Sequence, residues 1–382
     1  MKLALVVPGG VDRSGVDRVV PALLWQIERL AQRHTVHVFA LAQEPMPALW
    51  PLLGATVHNI GTSPGKRRRF LRSFAMEHAR APFTVIHAFW SGAGEYAAIA
   101  SIRHRVPFAL HLAGGELVAL RDIGYGERRT WRGRVRLRAT LAMADHVSVA
   151  SGYMLQLATP LRVDTELIPL GVALDRWPAR TPRELDSASS TRRAARLLHI
   201  GDLRPVKDQT LLLHAAASLR DRGLDFQLDV AGFDTTDGAT QALATQLGLA
   251  DRIRWLGVLR RDVLRAVVDQ ADVLLVTSRH DAGPLAFLEA AVAGVPTVGT
   301  PVGHIADWAP DAAVCVDHRD AEGFADAIAQ LLCDEPRRLA IAREAQRRAV
   351  AIDADFTTSR FEAMYDALRS PHQPRSIRSQ PA

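Results

Sequence analysis

The stretch Val276–His304 reads VTSRHDAGPLAFLEAAVAGVPTVGTPVGH, and it sets out one strand–loop–helix–strand unit. The apolar run Val273–Val276 ends at the polar Thr277 and Ser278, a loop carries Asp281 to Gly283 and Pro284, and a helix-length apolar segment follows. Gly294 closes that segment, and Val295–Val298 reads as the next strand. Proline suits the first turn of a helix, where its missing N–H is not needed, so the spacing predicts a helix over Pro284–Ala293. The free N–H groups at such a start, with the helix dipole, favour an anion such as a diphosphate. Between Pro284 and Ala306 only Glu289 carries a full charge. A helix this apolar is buried, and a buried carboxylate is costly unless donors satisfy it. Sugar hydroxyls would serve, and so would backbone N–H groups or an arginine; composition alone does not choose.

Outward from this unit the same alternation runs through the whole chain. Strands are expected at Leu3–Val7, Val36–Leu41, Val85–Ala88, Phe108–Leu112, Val147–Ala150 and Glu166–Pro169. In the second half they are expected at Leu197–Ile200, Gln227–Ala231, Ile253–Leu256, Val273–Val276, Val295–Val298 and Val314–Val316. Amphipathic helices lie between them, among them Val16–Arg33, Ala93–Arg103, Gln209–Arg222, Ala239–Leu247 and Asp262–Gln270. The pattern implies the α/β class: two doubly wound parallel-sheet domains, each covered on both faces. Ala179–Arg193 is polar, turn-rich and without apolar periodicity. The division is therefore an N-terminal domain over 1–180, a linker over 181–193, a C-terminal domain over 194–355, a closing helix over 356–369 and a flexible tail over 370–382. Ligands of open α/β sheets bind beyond the carboxyl ends of the strands, so the loops after Val7, Leu112, Ile200 and Val276 matter most.

The 382 residues are 48% hydrophobic and 23% charged, which suits two globular domains. Two cysteines, Cys315 and Cys333, give neither a metal-ligand spacing nor a disulfide framework. Met1–Val7 is too short an apolar run for a signal peptide and reads as a first strand, and no stretch is apolar enough to span a membrane. A cytoplasmic protein is the expectation. The net charge is +6, yet only three of the 47 basic residues are lysines, Lys2, Lys66 and Lys207. A compact ammonium at Lys207 is therefore notable beside so much arginine.

The Thr277–His304 segment resembles the signature of the family 4 (group 1) retaining glycosyltransferases, whose fold is the GT-B pair of Rossmann-like domains facing a cleft. Ser278, Asp281, Gly283, Glu289, Ala290, Gly294, Pro296 and Gly303 fall in register with it. Asp281 stands where the family usually has Glu, and His304 replaces a second Gly. A second segment, LLHIGDLRPVKDQTLLLHAA from Leu197, is similar to the family's strand, loop and helix in which an Arg and a Lys hold the diphosphate. Lys207 lies six residues after Gly201, as the family has it; Asp202 stands at the Arg position, with Arg204 two residues on. The loop VVPGGVDRSGVDRVV resembles the family's glycine loop, with Gly15 matching its second glycine. His111 ends the strand in PFALHLAGGE, where the family often has a His facing the donor sugar.

What the resemblance implies is a metal-independent, retaining transfer from a nucleoside-diphosphate sugar to an acceptor hydroxyl. No cofactor is implied beyond that co-substrate. Donor binding would fall to Gly15, Gly201, Arg204, Lys207, Asp281, Gly283, Pro284, Leu285 and Glu289, and catalysis to His111, Asp281, Arg204 and Lys207. Glu289 would meet the ribose and Asp281 would lie near the donor sugar. His87, in VIHAFW, and the Asp-x-Asp at Asp353–Asp355 are read as structural or coincidental. The basic stretches 66–72 and 121–138 admit two readings, solvated helix faces or peripheral contact with the inner face of an anionic plasma membrane. The second would suit a sugar or lipid-linked acceptor; nucleic acid is not expected, because aromatic platforms are missing. Three other readings stay open: a catalytically weak nucleotide-sugar-binding protein, a phosphorylase or epimerase of the same fold, and a nicotinamide oxidoreductase. The last is disfavoured by the absent GxGxxG.

Overall fold

A computed structural model describes residues 1–185 and 193–369. The tail 370–382 and most of the linker lie outside the described residues. Two sheets organise the chain. The first has the order β3-β4-β2-β1-β5-β6-β7-β8. Its strands are β1 (Lys2–Val7), β2 (Thr35–Ala40), β3 (Ala48–Leu52), β4 (Ala55–Asn59), β5 (Val85–Phe89), β6 (Phe108–Leu112), β7 (His146–Val149) and β8 (Glu166–Leu167). The second has the order β11-β10-β9-β12-β13-β14. It comprises β9 (Ala195–Ile200), β10 (Phe226–Ala231), β11 (Ile253–Gly257), β12 (Val273–Val276), β13 (Thr297–Gly299) and β14 (Val314–Cys315). All pairings in the second sheet are parallel. Apolar clusters cover both faces of each sheet, which is why its strands are apolar almost throughout.

Two expectations are corrected at the edge of the first sheet and at its first loop. The β3–β4 hairpin, antiparallel and joined through Leu53-Gly54, was not foreseen. Pro51 reads as a breaker, but β3 is the edge strand, where a missing N–H costs no ladder bond. The first helix runs over Pro21–Ala31, not from Val16. Residues 8–20 form a loop tied by Asp12, which accepts from the Ser14 N–H at 3.0 Å and pairs with Arg18. Gln43 steadies the same loop by accepting from the Val11 N–H at 2.9 Å.

The chain crosses between the domains twice, and the two crossings touch. The first crossing lies earlier than the polar stretch 181–193: Val172, Ala173 and Trp177 already pack with the helix Leu285–Val292. Arg183 and Arg193 both pair with Asp272, and Leu185 donates its N–H to Glu335 at 2.8 Å, so the described ends of that stretch lie on the C-terminal domain. The second crossing follows the helix Glu335–Ala351. A Cβ on Gly171 would fall 1.9 Å from the Ile352 carbonyl oxygen, so only glycine fits where the crossings meet. Thr357 Oγ1 fastens the junction, accepting from the Gly171 N–H at 3.0 Å and donating to the Pro169 carbonyl at 2.7 Å.

The helix Ala354–Arg369 then lies on the first sheet, with Phe361, Met364 and Tyr365 buried among Leu3, Leu5 and Val7. Tyr365 meets His87 Nδ1 at 2.7 Å, which accounts for that histidine. The Asp-x-Asp has structural partners too: Asp353 accepts from the Phe356 N–H at 2.8 Å and Asp355 pairs with Arg29 at 2.6 Å.

Candidate functional site

In the second sheet, β9 is flanked by β10 on one side and β12 on the other, so the direction of strand order reverses there. The loops after β9 and β12 therefore splay apart at the switch point where α/β sheets bind ligands. They are stitched together below: Thr277 Oγ1 donates to the Lys207 carbonyl at 2.8 Å, and the Arg279 N–H donates to the Val206 carbonyl at 2.8 Å. Above the stitching, Lys207 Nζ meets Asp281 Oδ2 at 2.5 Å. Gln209 orders the β9 loop from beneath by accepting from the Arg204 N–H and donating to the Asp202 carbonyl, at 3.2 and 3.0 Å. Gly201 brings the Lys207 stem against the end of β9. The Arg204 side chain is exposed at the mouth of the loop. Asp202 instead accepts from the Phe233 N–H of the neighbouring loop at 3.1 Å.

The helix Leu285–Val292 opens next to this pair. Pro284 is its N-cap and not its first helical residue, and no side chain caps it. Gly303, at φ +49°, packs under the turn: a Cβ there would fall 2.6 Å from Pro284 Cδ and 3.1 Å from the Asp281 carbonyl oxygen. A side chain at 303 would push the Asp281–Pro284 turn out of place. His304 is buried beneath Gly283, and burial holds its imidazole down to about 4, so it is neutral.

Glu289 lies one face round the same helix, 2% exposed. Burial raises its pKa, and Arg261 opposes that rise from 2.6 Å. Among the described residues, Arg261 is its ion-pair partner. A groove of about 500 Å³ runs beside this pair between the domains, lined by Gly15, Pro21, Trp25, Arg261 and Arg265. Gly15 and Arg261 thus line one groove, with Glu289 buried behind Arg261.

The opposite wall comes from the segments after β6 and β7; sequence reasoning singled out the first of these loops but gave its residues no roles. The His280 ring is the contact between walls, with Nε2 3.0 Å from the Gly114 carbonyl and Nδ1 3.1 Å from the Tyr153 hydroxyl. A carbonyl only accepts, so Nε2 carries the proton and Tyr153 donates to Nδ1. Burial lowers the His280 pKa, in keeping with that neutral tautomer. Ser151 donates to the Ala282 carbonyl at 2.5 Å, and Arg279 pairs with Asp122 at 2.5 Å. Glu116 is buried behind Gly114, accepts its N–H at 2.8 Å and is pushed up to about 7 by burial. Its Oε1 has no hydrogen-bond partner among the described residues. Tyr125 stacks over Gly115, and burial with the charges of Asp281 and Glu116 pushes its hydroxyl up to about 12. Trp90, at φ +67°, covers Gly114 from the end of β5. A strained non-glycine residue at a strand's carboxyl end is the kind of feature that functional sites retain.

His111 is not brought to this cluster. It is 0% exposed, meets Ser148 Oγ at 2.9 Å, and packs its ring against Phe89 and Phe361 beneath the C-terminal helix. Its neighbours Leu110 and Leu112 belong to the cluster on the other side of the sheet, as strand alternation requires. Burial drives its imidazole down to about 3. Gly114, three residues on, is what reaches the cleft. The residues missed from sequence, His280, Glu116, Tyr125, Tyr153 and Arg261, carry no local signature; Gly114-Gly115-Glu116 was the one available hint.

With this geometry in view, comparison with known proteins is informative. The family profile described as "Glycosyl transferases group 1" matches residues 184–348, and that described as "Glycosyl transferase 4-like domain" matches residues 19–171. A D-inositol 3-phosphate glycosyltransferase of Geodermatophilus obscurus is 29% identical over an alignment covering 98% of this chain and 89% of its own length. One of Salinispora tropica is 31% identical over 57% of this chain, and the match spans only 48% of that relative. Among solved structures, sucrose-phosphate synthase from Thermosynechococcus elongatus superposes with a TM-score of 0.78 at 17% identity, covering 96% of this chain and 99% of that one. HepE of Anabaena, solved with UDP-glucose, gives a TM-score of 0.74 at 17% identity, covering 96% and 100%. At such identities the structures establish a shared fold, the GT-B pair of domains.

Proposed function

The chain belongs to the group 1 glycosyltransferases, and from that premise we propose that it moves a sugar from a nucleoside-diphosphate sugar to an acceptor hydroxyl, with retention and without a metal ion. The observation that carries this reading is the Lys207–Asp281 pair beside the uncapped start of the helix Leu285–Val292. In the transfer, the bond from the anomeric carbon to the diphosphate oxygen breaks while the bond to the acceptor oxygen forms. Negative charge grows on the departing diphosphate. Lys207, Arg204 and the free N–H groups of Leu285 and Ala286 supply fixed positive charge for it, as a metal would elsewhere. Asp281 orients the Lys207 ammonium and offers an acceptor to a sugar hydroxyl. Contacts of His280, Ser151 and Arg279 across the cleft keep water from the reacting carbon.

The acceptor lies, on this reading, against the wall formed by Glu116, Tyr125 and Tyr153. The relatives from Geodermatophilus and Salinispora are D-inositol 3-phosphate glycosyltransferases, so a phosphorylated polyol is the first acceptor class to try. A lipid-linked acceptor is supported by a different feature. The helices Lys66–Arg80 and Trp131–Met143 stand on one side of the N-terminal domain, linked through Glu95, which meets Arg67 at 3.4 Å and Arg136 at 4.0 Å. Trp131 and Val135 are exposed on the second helix, among Arg132 and Arg138. That combination suits the surface of an anionic membrane. No described helix is long and apolar enough to cross one.

The test is incubation with UDP-, GDP- and ADP-sugars plus D-inositol 3-phosphate or a polyprenyl acceptor. Mass spectrometry would detect the product, and NMR the anomeric configuration, with and without EDTA. Transfer with retention that survives EDTA is the expected result. Tight nucleotide binding without any transfer or hydrolysis would replace the enzyme by a nucleotide-sugar-binding protein, and an inverted product would overturn retention.

A further inference from the structure

Arg261 starts the helix Arg261–Gln270 on the wall of the inter-domain groove. Its guanidinium sits 5.2 Å from the Trp25 ring and 4.7 Å from the Trp177 ring, and pairs with Glu289 at 2.6 Å. Trp25 belongs to the first helix of the N-terminal domain. One side chain therefore touches the buried donor-side carboxylate and the opposite domain at once. The remaining charges around Glu289 have partners of their own. Arg265 pairs with Asp269 through Nε at 2.8 Å, its two terminal nitrogens lacking a hydrogen-bond partner among the described residues, and across the groove Arg176 pairs with Glu28 at 2.5 Å.

Burial favours the neutral form of Glu289, and Arg261 is the largest influence against it, ahead of Arg265. A neutral carboxyl is a poor acceptor for a diol, whereas an ionised one makes charge-assisted bonds. A planar guanidinium can stack between two indoles and still direct N–H groups at a carboxylate; an ammonium cannot. We propose that Arg261 is a positioning residue of the donor site: it joins the buried Glu289 carboxylate to the groove wall and, through Trp25, links capture of the ribose to closure of the domains. This rests on the reading of Glu289 as the ribose contact.

Isothermal calorimetry of the full chain with UDP, GDP and ADP from pH 5.5 to 8.5 tests it, carrying forward whichever nucleotide binds most tightly. Arg261→Gln is expected to weaken binding about tenfold near neutral pH, the difference between a charged and a neutral acceptor. The loss should be larger at pH 6 than at pH 8, because the unpartnered carboxyl takes a proton more readily. In a Glu289→Gln background the same change should add little, whereas a merely structural effect would add in full. Arg261→Lys keeps the charge and loses the stack, so it should bind more weakly than wild type with its acid limb unmoved; it carries the test alone should Arg261→Gln lose its cooperative thermal transition. Wild-type affinity and pH profile in Arg261→Gln, or in Arg261→Lys where that variant stands alone, would overturn the proposal. A wild-type chain that binds none of the three nucleotides would instead overturn the donor-site reading beneath it.

Discussion

Lys207 and Asp281, 74 residues apart in sequence, meet at 2.5 Å because their two strands, β9 and β12, are neighbours in the second sheet. The pair is charge-balanced without a ligand, so an arriving diphosphate competes with Asp281 for the ammonium. Replacing Lys207 with Ala should therefore lower the rate constant for donor consumption by roughly 100-fold or more, the range seen when one preorganised charge is removed from a transition state. Steady-state kinetics at saturating donor checks this; a loss confined to KM would mean that Lys207 only binds.

Glu289→Ala should abolish donor turnover, and Glu289→Gln should retain the fold while losing nucleotide affinity. The amide keeps the volume of the side chain and removes a charge that burial disfavours. Thermal melts and nucleotide titrations on the same preparations separate the two effects. Undiminished turnover in either variant would remove Glu289 from the donor site.

Stability should rise with pH between about 4 and 6.5. Burial holds His58, His199 and His304 to about 4 and His111 to about 3, all below the unfolded value of 6.5. Below 6.5 the unfolded chain binds protons that the folded chain does not. Each histidine then withdraws stability as pH falls, at up to roughly 1.4 kcal/mol per pH unit. Glu116 works the other way. Its folded value near 7 lies above the unfolded 4.5, so its contribution is full below 4.5 and lost as pH rises through 7. Four groups outweigh one. Glu116→Gln removes the opposing contribution, so its melting temperature should climb more steeply than that of the wild type from pH 5 to 7. Parallel slopes in the two proteins would show that Glu116 does not titrate in this range.

Arg132→Glu with Arg138→Glu should release the chain from vesicles containing anionic lipid and leave turnover of a water-soluble acceptor intact. Each basic residue near such a surface contributes about 1 kcal/mol, so reversing two gives a large change in the bound fraction. Vesicle co-sedimentation reads it; equal sedimentation of both proteins would leave these residues as a solvated helix face.

Most of the strands were legible because parallel sheets need continuous apolar runs, and β6 and β12 begin and end where those runs do. The hairpin β3–β4 was not, since Pro51 argues against a strand unless it is known to lie at an edge. Within the candidate site, Lys207, Asp281 and Gly303 were singled out by the family resemblance, which rests on local motifs. His111 shows the limit: strand periodicity says that a residue faces one side of a sheet, but not what covers that side. Its cover is Phe361, 250 residues later in the chain. Arg261 was invisible for a related reason. Its partners Trp25, Trp177 and Glu289 come from three distant segments, and only the folded chain assembles them.

The docking of Ala354–Arg369 on the first sheet has a consequence for biosynthesis. A ribosome delivers β1 to β8 long before it delivers Phe361 and Tyr365, so the patch around His87, Phe89 and His111 stays uncovered while the C-terminal domain is made, although the first helix already covers the rest of that face. The second domain can finish first, although it is synthesised later. Until the last helix emerges, His87, Phe89 and His111 are open to solvent and to any chaperone present. A released chain that ends after Ala351 should therefore hold a folded C-terminal domain and an N-terminal domain whose His87 patch is open to proteases.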